Sequence, residues 1–169
     1  MVTSQRPRSL WLPKYWWLIV PAILALAGLL TLVLPLATTS NQSPVRQVAC
    51  INEDAGTCLV VKDTLEGLSQ GKIVVTYYPV CMDGVVTAVV AASDLVFVDG
   101  VMGGSQYQGP ECVAALMAAK AGNPRPAIIA YSTDSQISRQ MVSRGADADI
   151  LPTAGINNIY ELVARLLGI

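Results

Sequence analysis

No histidine occurs anywhere in the chain. That excludes Ser-His-Asp triads, histidine general bases and the His-containing zinc sites. It also excludes a histidine kinase or a histidine phosphotransfer protein, since neither works without the imidazole. No CxxC pair occurs, so a zinc ribbon or a thioredoxin-like motif has no support. Neither GxGxxG nor a P-loop run is found, so no nucleotide-phosphate cradle is marked. Basic excess is lacking too: the formal net charge is −1. Arg6, Arg8 and Lys14 lie near the N-terminus, while the other eight Lys/Arg and all twelve Asp/Glu lie from Arg46 onward. That later part is therefore acidic, and a nucleic-acid surface, which needs a basic patch, is disfavoured.

Between Lys14 and Arg46 no charged residue occurs at all. Tyr15 to Ala37 reads YWWLIVPAILALAGLLTLVLPLA, long enough to cross a hydrocarbon core of roughly 30 Å. Tyr15, Trp16 and Trp17 form an aromatic cluster of the kind found among headgroups. The reading is a transmembrane helix over 15–37, after an N-terminal tail over 1–14 and before a polar linker over 38–46. A cleaved signal peptide is the rival; the run exceeds the usual apolar region and no clean cleavage site precedes Thr38. Basic residues cluster before the run, so the positive-inside rule places the tail in the cytoplasm and the rest outside.

The four cysteines are Cys50, Cys58, Cys81 and Cys112. Their plainest reading is small buried apolar residues. Their even number leaves disulfides open if the domain faces an oxidising compartment.

From Gln47 onward, strand and helix patterns alternate five times. The expected strands are Val48–Asn52, Lys72–Tyr77, Asp94–Asp99, Ala127–Tyr131 and Ala148–Leu151. The expected helices are Thr57–Leu68, Val80–Ala92, Gly109–Ala121, Asp134–Arg144 and Ile156–Leu167. Such alternation implies an α/β domain, a flavodoxin-like (βα)5 doubly wound parallel sheet over 47–169. In such sheets ligands sit beyond the carboxyl ends of the strands. Attention therefore falls on Asn52, Glu53 and Asp54 after the first strand, Asp99 at the end of the third, and Ser132 after the fourth. Clustered carboxylates suit Mg²⁺, a hard cation that takes oxygen ligands.

The runs DLVFVDGVM, GPECVAALMAAK, PAIIAYST and RGADADIL, with VACINEDAGTC before them, resemble the receiver domains of bacterial response regulators, in the right order over about Gln47–Leu167. The resemblance implies that Asp99 is a phosphoacceptor and that Glu53, Asp54 and Asp99 bind Mg²⁺ with the backbone carbonyl of Val101. It implies that Ser132 couples phosphorylation to loop movement. It makes the chain a signalling module rather than an enzyme, beyond self-phosphorylation and dephosphorylation. Its partners are then a histidine kinase or phosphotransfer protein, with output through a partner protein or a homodimer.

Two departures weigh against that activity. Asn52 stands where the first acid usually stands. Leu151-Pro152-Thr153 replaces the Lys-Pro that follows the fifth strand in the family, so the ammonium that meets the phosphate is missing. The alternative is a degenerate, non-phosphorylated receiver acting as an interaction scaffold. Topology raises the same conflict, because a phosphodonor is cytoplasmic and the flanking charges put the domain outside. Simpler roles also exist for each residue: Glu53-Asp54 as helix N-terminal charges, and Ser132-Thr133-Asp134 as a helix cap.

Overall fold

A computed structural model describes residues 44–119 and 124–169. The expected membrane helix over 15–37 lies outside the described residues. Among those described, no helix is long and apolar enough to cross a membrane.

Five strands, β1 (Arg46–Ile51), β2 (Ile73–Tyr78), β3 (Leu95–Asp99), β4 (Ala127–Tyr131) and β5 (Ala148–Ile150), alternate with five helices, α1 (Ala55–Leu68), α2 (Asp83–Ala92), α3 (Gly109–Ala118), α4 (Ser135–Ser143) and α5 (Ile156–Leu167). All strand pairs are parallel, in the order β2-β1-β3-β4-β5. This is the expected flavodoxin-like α/β architecture. The chain steps from β1 outward to β2 and then back across to β3, so the strand order reverses between β1 and β3. That is where such sheets open a crevice at their carboxyl ends.

Side chains alternate across the sheet because successive residues of a strand point to opposite faces. Ala49, Ile51, Val96, Val98, Ile128 and Ala130 face one layer, packed with Val86 and Val89 of α2, Val113 and Leu116 of α3, and Met141 of α4. Val48, Cys50, Leu95, Phe97, Ile129 and Tyr131 face the other, packed with Val61 and Leu65 of α1 and Ile159 and Val163 of α5. The central strands are buried on both sides, which is why they read as unbroken apolar runs. Burying each such side chain contributes about 1.5–3 kcal/mol.

Local signals explain most element bounds. Asp54 caps α1 through the N–H of Gly56, and Asp134 caps α4 through those of Gln136 and Ile137. Pro110 stands in the first turn of α3, where its missing N–H costs nothing. Helix α2 starts at Asp83 rather than Val80, and no side chain caps it; Val80 and Cys81 continue the apolar pattern without being helical. Helix α3 ends at Ala118, short of the expected Ala121.

The cysteines require a correction. All four are buried, as a small apolar residue would be, yet they are not independent: Cys50 bonds to Cys58 and Cys81 to Cys112. The first pair joins β1 to the first turns of α1. The second joins the segment before α2 to α3.

At the sheet's outer edge, the backbone N–H groups of Ile73 and Val75 do not face open water. They donate to Ser69 Oγ at 3.1 Å and Glu66 Oε1 at 2.9 Å. Lys62, one turn before Glu66, pairs with the same carboxylate oxygen at 3.0 Å.

Candidate functional site: the strand-tip basin

Strands β1, β3 and β4 end side by side. Ile51 pairs with Val98, and Asp99 pairs with Tyr131. The residues that follow, Asn52 and Ser132, therefore flank Asp99 at one end of the sheet.

The two flanking turns are built alike. The N–H of Asp54 donates to Asn52 Oδ1 at 2.7 Å, and Asp54 then caps α1. The N–H of Asp134 donates to Ser132 Oγ at 3.2 Å, and Asp134 then caps α4. In both, a short polar side chain closes a turn over the strand end, and an aspartate two residues later starts the helix. The helix-cap reading of Ser132-Thr133-Asp134 is thus what the structure displays. Ser132 is also 4% exposed, with its side chain packed against Gly100. A Cβ on Gly100 would stand 2.7 Å from Ser132 Cβ and 2.8 Å from Ile137 Cγ2, so glycine is required there by space.

Asp99 is half-buried. Burial pushes its carboxyl above the usual aspartate range. The amides of Gly100 and Val101 pull it down, and the charges of Glu53 and Asp54 push it up again. Those charges act on Asp99 because both acids stand on the same rim. Tyr131, its partner on β4, is raised as well, first by burial and then by the Asp99 charge.

A raised folded-state value means that ionised Asp99 costs stability above that value, and that the cost vanishes once pH falls below the unfolded-state value. Asp99→Asn is accordingly expected to raise the urea midpoint at neutral pH. The gain should fade as pH approaches the ordinary aspartate value of 3.8. A midpoint that is lower, or a gain that persists in acid, contradicts this account of Asp99.

The other acids are engaged elsewhere. Glu53 accepts a hydrogen bond from the N–H of Gly103, across the crevice. Asp54 accepts from Thr57 Oγ1 at 2.7 Å as well as from Gly56, and these bonds hold its carboxyl below the usual range. Val101 follows β3 with its side chain 54% exposed. Among the described residues no group of three or more Asp, Glu or Cys side chains is gathered closely enough to hold a metal ion. The expected Mg²⁺ donors share a rim, where Glu53 and Asp54 each already accept hydrogen bonds. After β5, Leu151 is exposed and Pro152 and Thr153 follow it, so that side of the basin supplies no cation.

One feature escaped the sequence reading. The loop after β3 is braced to the loop after β2. Tyr107 donates its hydroxyl to Asp83 Oδ1 at 2.6 Å and its N–H to the Cys81 carbonyl at 3.1 Å. The N–H of Cys81 donates to Ser105 Oγ at 3.1 Å. Gln108 closes the loop on itself, accepting from the Met102 N–H at 3.0 Å and donating to its carbonyl at 2.8 Å. Only the polar composition of Ser105–Gln108 hints at this in the sequence.

No protein-family model matches the chain, and a search of curated proteins finds no match either. Solved structures do match. A CheY-like response-regulator receiver domain protein from Methanospirillum hungatei JF-1 is similar at 16% identity and a TM-score of 0.61, over 73% of this chain and 94% of that one. The BeF3-activated DrrB receiver domain is similar at 15% identity and 0.57, over 74% and 99%. NtrX from Brucella abortus in complex with ADP is similar at 17% and 0.59, over 73% of this chain but 27% of its own length. The domain has the receiver fold. At these identities the likeness is one of fold, and the chain spans only part of NtrX.

Proposed function

We propose that the chain is a membrane-tethered, degenerate receiver-fold module that works by protein contact and does not take up phosphate on Asp99. The observation that carries this reading is the state of the basin. Asp54 and Ser132 are used in local turns, Glu53 is held by Gly103 across the crevice, and the segment after β5 brings no cation. A phosphoryl group on Asp99 would replace the carboxylate's single negative charge with about −1.5 to −2 beside Glu53 and Asp54, with no cation from the segment after β5 to offset it. Two further points agree. Tyr15–Ala37 supplies the tether, and the basic residues before it favour an outside location for the domain. Disulfides persist in oxidising compartments and are rare in the cytosol. The partner in this reading is another protein or a second copy of the chain. Exposed Leu59 on α1, which lines a shallow apolar hollow with Tyr77 of β2, adds apolar contact surface.

The second reading is phosphorelay signalling, with Asp99 receiving a phosphoryl group in the presence of Mg²⁺ from a histidine kinase or phosphotransfer protein. The placement of Asp99 at the tip of β3, with Glu53 and Asp54 on its rim, favours it. Incubation of the full chain with acetyl phosphate and Mg²⁺, followed by intact-mass measurement, separates the two. The expected result is no phosphoryl adduct. An adduct on the parent chain that is lost in Asp99→Ala would establish the second reading.

A further inference from the structure

The two disulfides are not scattered through the domain. Cys50 is the penultimate residue of β1, and its bond to Cys58 closes the loop that carries Asn52, Glu53 and Asp54, with a sequence separation of 8. Cys81 follows β2, and its bond to Cys112, at a separation of 31, encloses β3, Asp99 and the whole loop over 100–108. Each of the two loops that border Asp99 is thus held by its own covalent bond. The loops are then tied to each other and to their surroundings: Glu53 to Gly103, Ser105 and Tyr107 to Cys81, and Tyr107 to Asp83.

All four cysteines are at most 2% exposed. Thiol–disulfide exchange needs a thiolate to reach a sulfur, so bonds this deeply placed resist reductant while the fold is intact. They therefore behave as permanent fixtures rather than as a reversible redox switch.

We infer that the disulfide pair locks the strand-tip basin, fixing the two loops around Asp99 in one arrangement. The lock removes the loop movement on which a phosphorylation-driven switch depends. This inference extends the contact-module reading but has a separate readout: the phosphodonor experiment reports chemistry at Asp99, whereas loop motion is read directly below.

The test begins with the full chain isolated from its membrane in detergent. Denaturation with a thiol-blocking reagent and no reductant is expected to label none of the four cysteines; labelling of any pair overturns the lock. Amide hydrogen exchange is then compared among the parent chain, Cys50→Ala/Cys58→Ala and Cys81→Ala/Cys112→Ala. Exchange reports local opening even when the core stays closed. The first pair variant should speed exchange over residues 52–57 by about tenfold or more, and the second should do so over 100–108, while β3 and β4 speed up only by the factor that the lost global stability sets and stay the slowest-exchanging segments. Unchanged loop exchange in both variants overturns the inference. Should either variant lose its core protection, exchange is compared instead in Cys50→Val/Cys58→Val and Cys81→Val/Cys112→Val, which refill the buried volume. Faster loop exchange with β3 and β4 still the slowest segments supports the lock, and unchanged loop exchange overturns it.

Discussion

Phe97→Ala is expected to remove about 3–5 kcal/mol of folding stability, the range for deleting a fully buried phenylalanine. Phe97 is the only phenylalanine in the chain and is 0% exposed. It stands in the middle of β3, with Cys50 of β1 and Ile129 of β4 as its neighbours in register. Its ring meets that of Tyr131 edge to face, with centroids 5.7 Å apart, a geometry that adds about 0.5–1.5 kcal/mol beyond burial. A domain of ordinary size holds about 5–15 kcal/mol in all, so this one change approaches the threshold of folding. Phe97→Leu, which keeps most of the volume, should cost far less. Urea unfolding of the three chains measures the difference. A loss below about 1 kcal/mol for alanine, which is within the range of ordinary substitutions, would mean that Phe97 is not the centre of this layer.

The second large effect concerns the covalent bonds. In the chain-entropy account a disulfide stabilises by restricting the unfolded chain, more so for a longer loop. With separations of 31 and 8, Cys81→Ala/Cys112→Ala should cost about 3–4 kcal/mol and Cys50→Ala/Cys58→Ala about 2–3. Order matters more than size here, because both variants also leave small voids in buried positions. If denaturant unfolding shows the short loop costing as much as the long one, loop entropy is not the source of the stabilisation.

The architecture was legible because each strand is framed by physics that reads locally. DLVFVD shows an apolar run ending in a carboxylate, and the fold puts that carboxylate at a sheet tip. Pro110 marked the start of α3, and Asp134 with Ser132 marked the start of α4. Three things were not legible, each for a reason. Four cysteines allow three pairings, and only the folded arrangement brings Cys81 near Cys112. The start of α2 was misplaced because Val80 and Cys81 extend the apolar run, whereas Cys81 is apolar for its place in the core and its bond to Cys112, and no side-chain cap marks the helix start. The roles of Glu53 and Asp54 depend on turn geometry. A helix N-terminal role could be read for Glu53-Asp54, but not that Asn52 folds the turn so that Asp54 alone caps the helix and Glu53 reaches across to Gly103.

The hydrogen bonds from Ile73 and Val75 to Ser69 and Glu66 have a consequence for crowding. A parallel sheet open at its flank offers a template on which another extended chain can zip up. On β2 two of those docking points are already taken by Glu66 of α1 and Ser69 just after it, while β5 at the opposite flank has only three residues. Copies of the domain crowded together would therefore meet through side chains on their helices, and fibril-like stacking of their sheets would find little foothold.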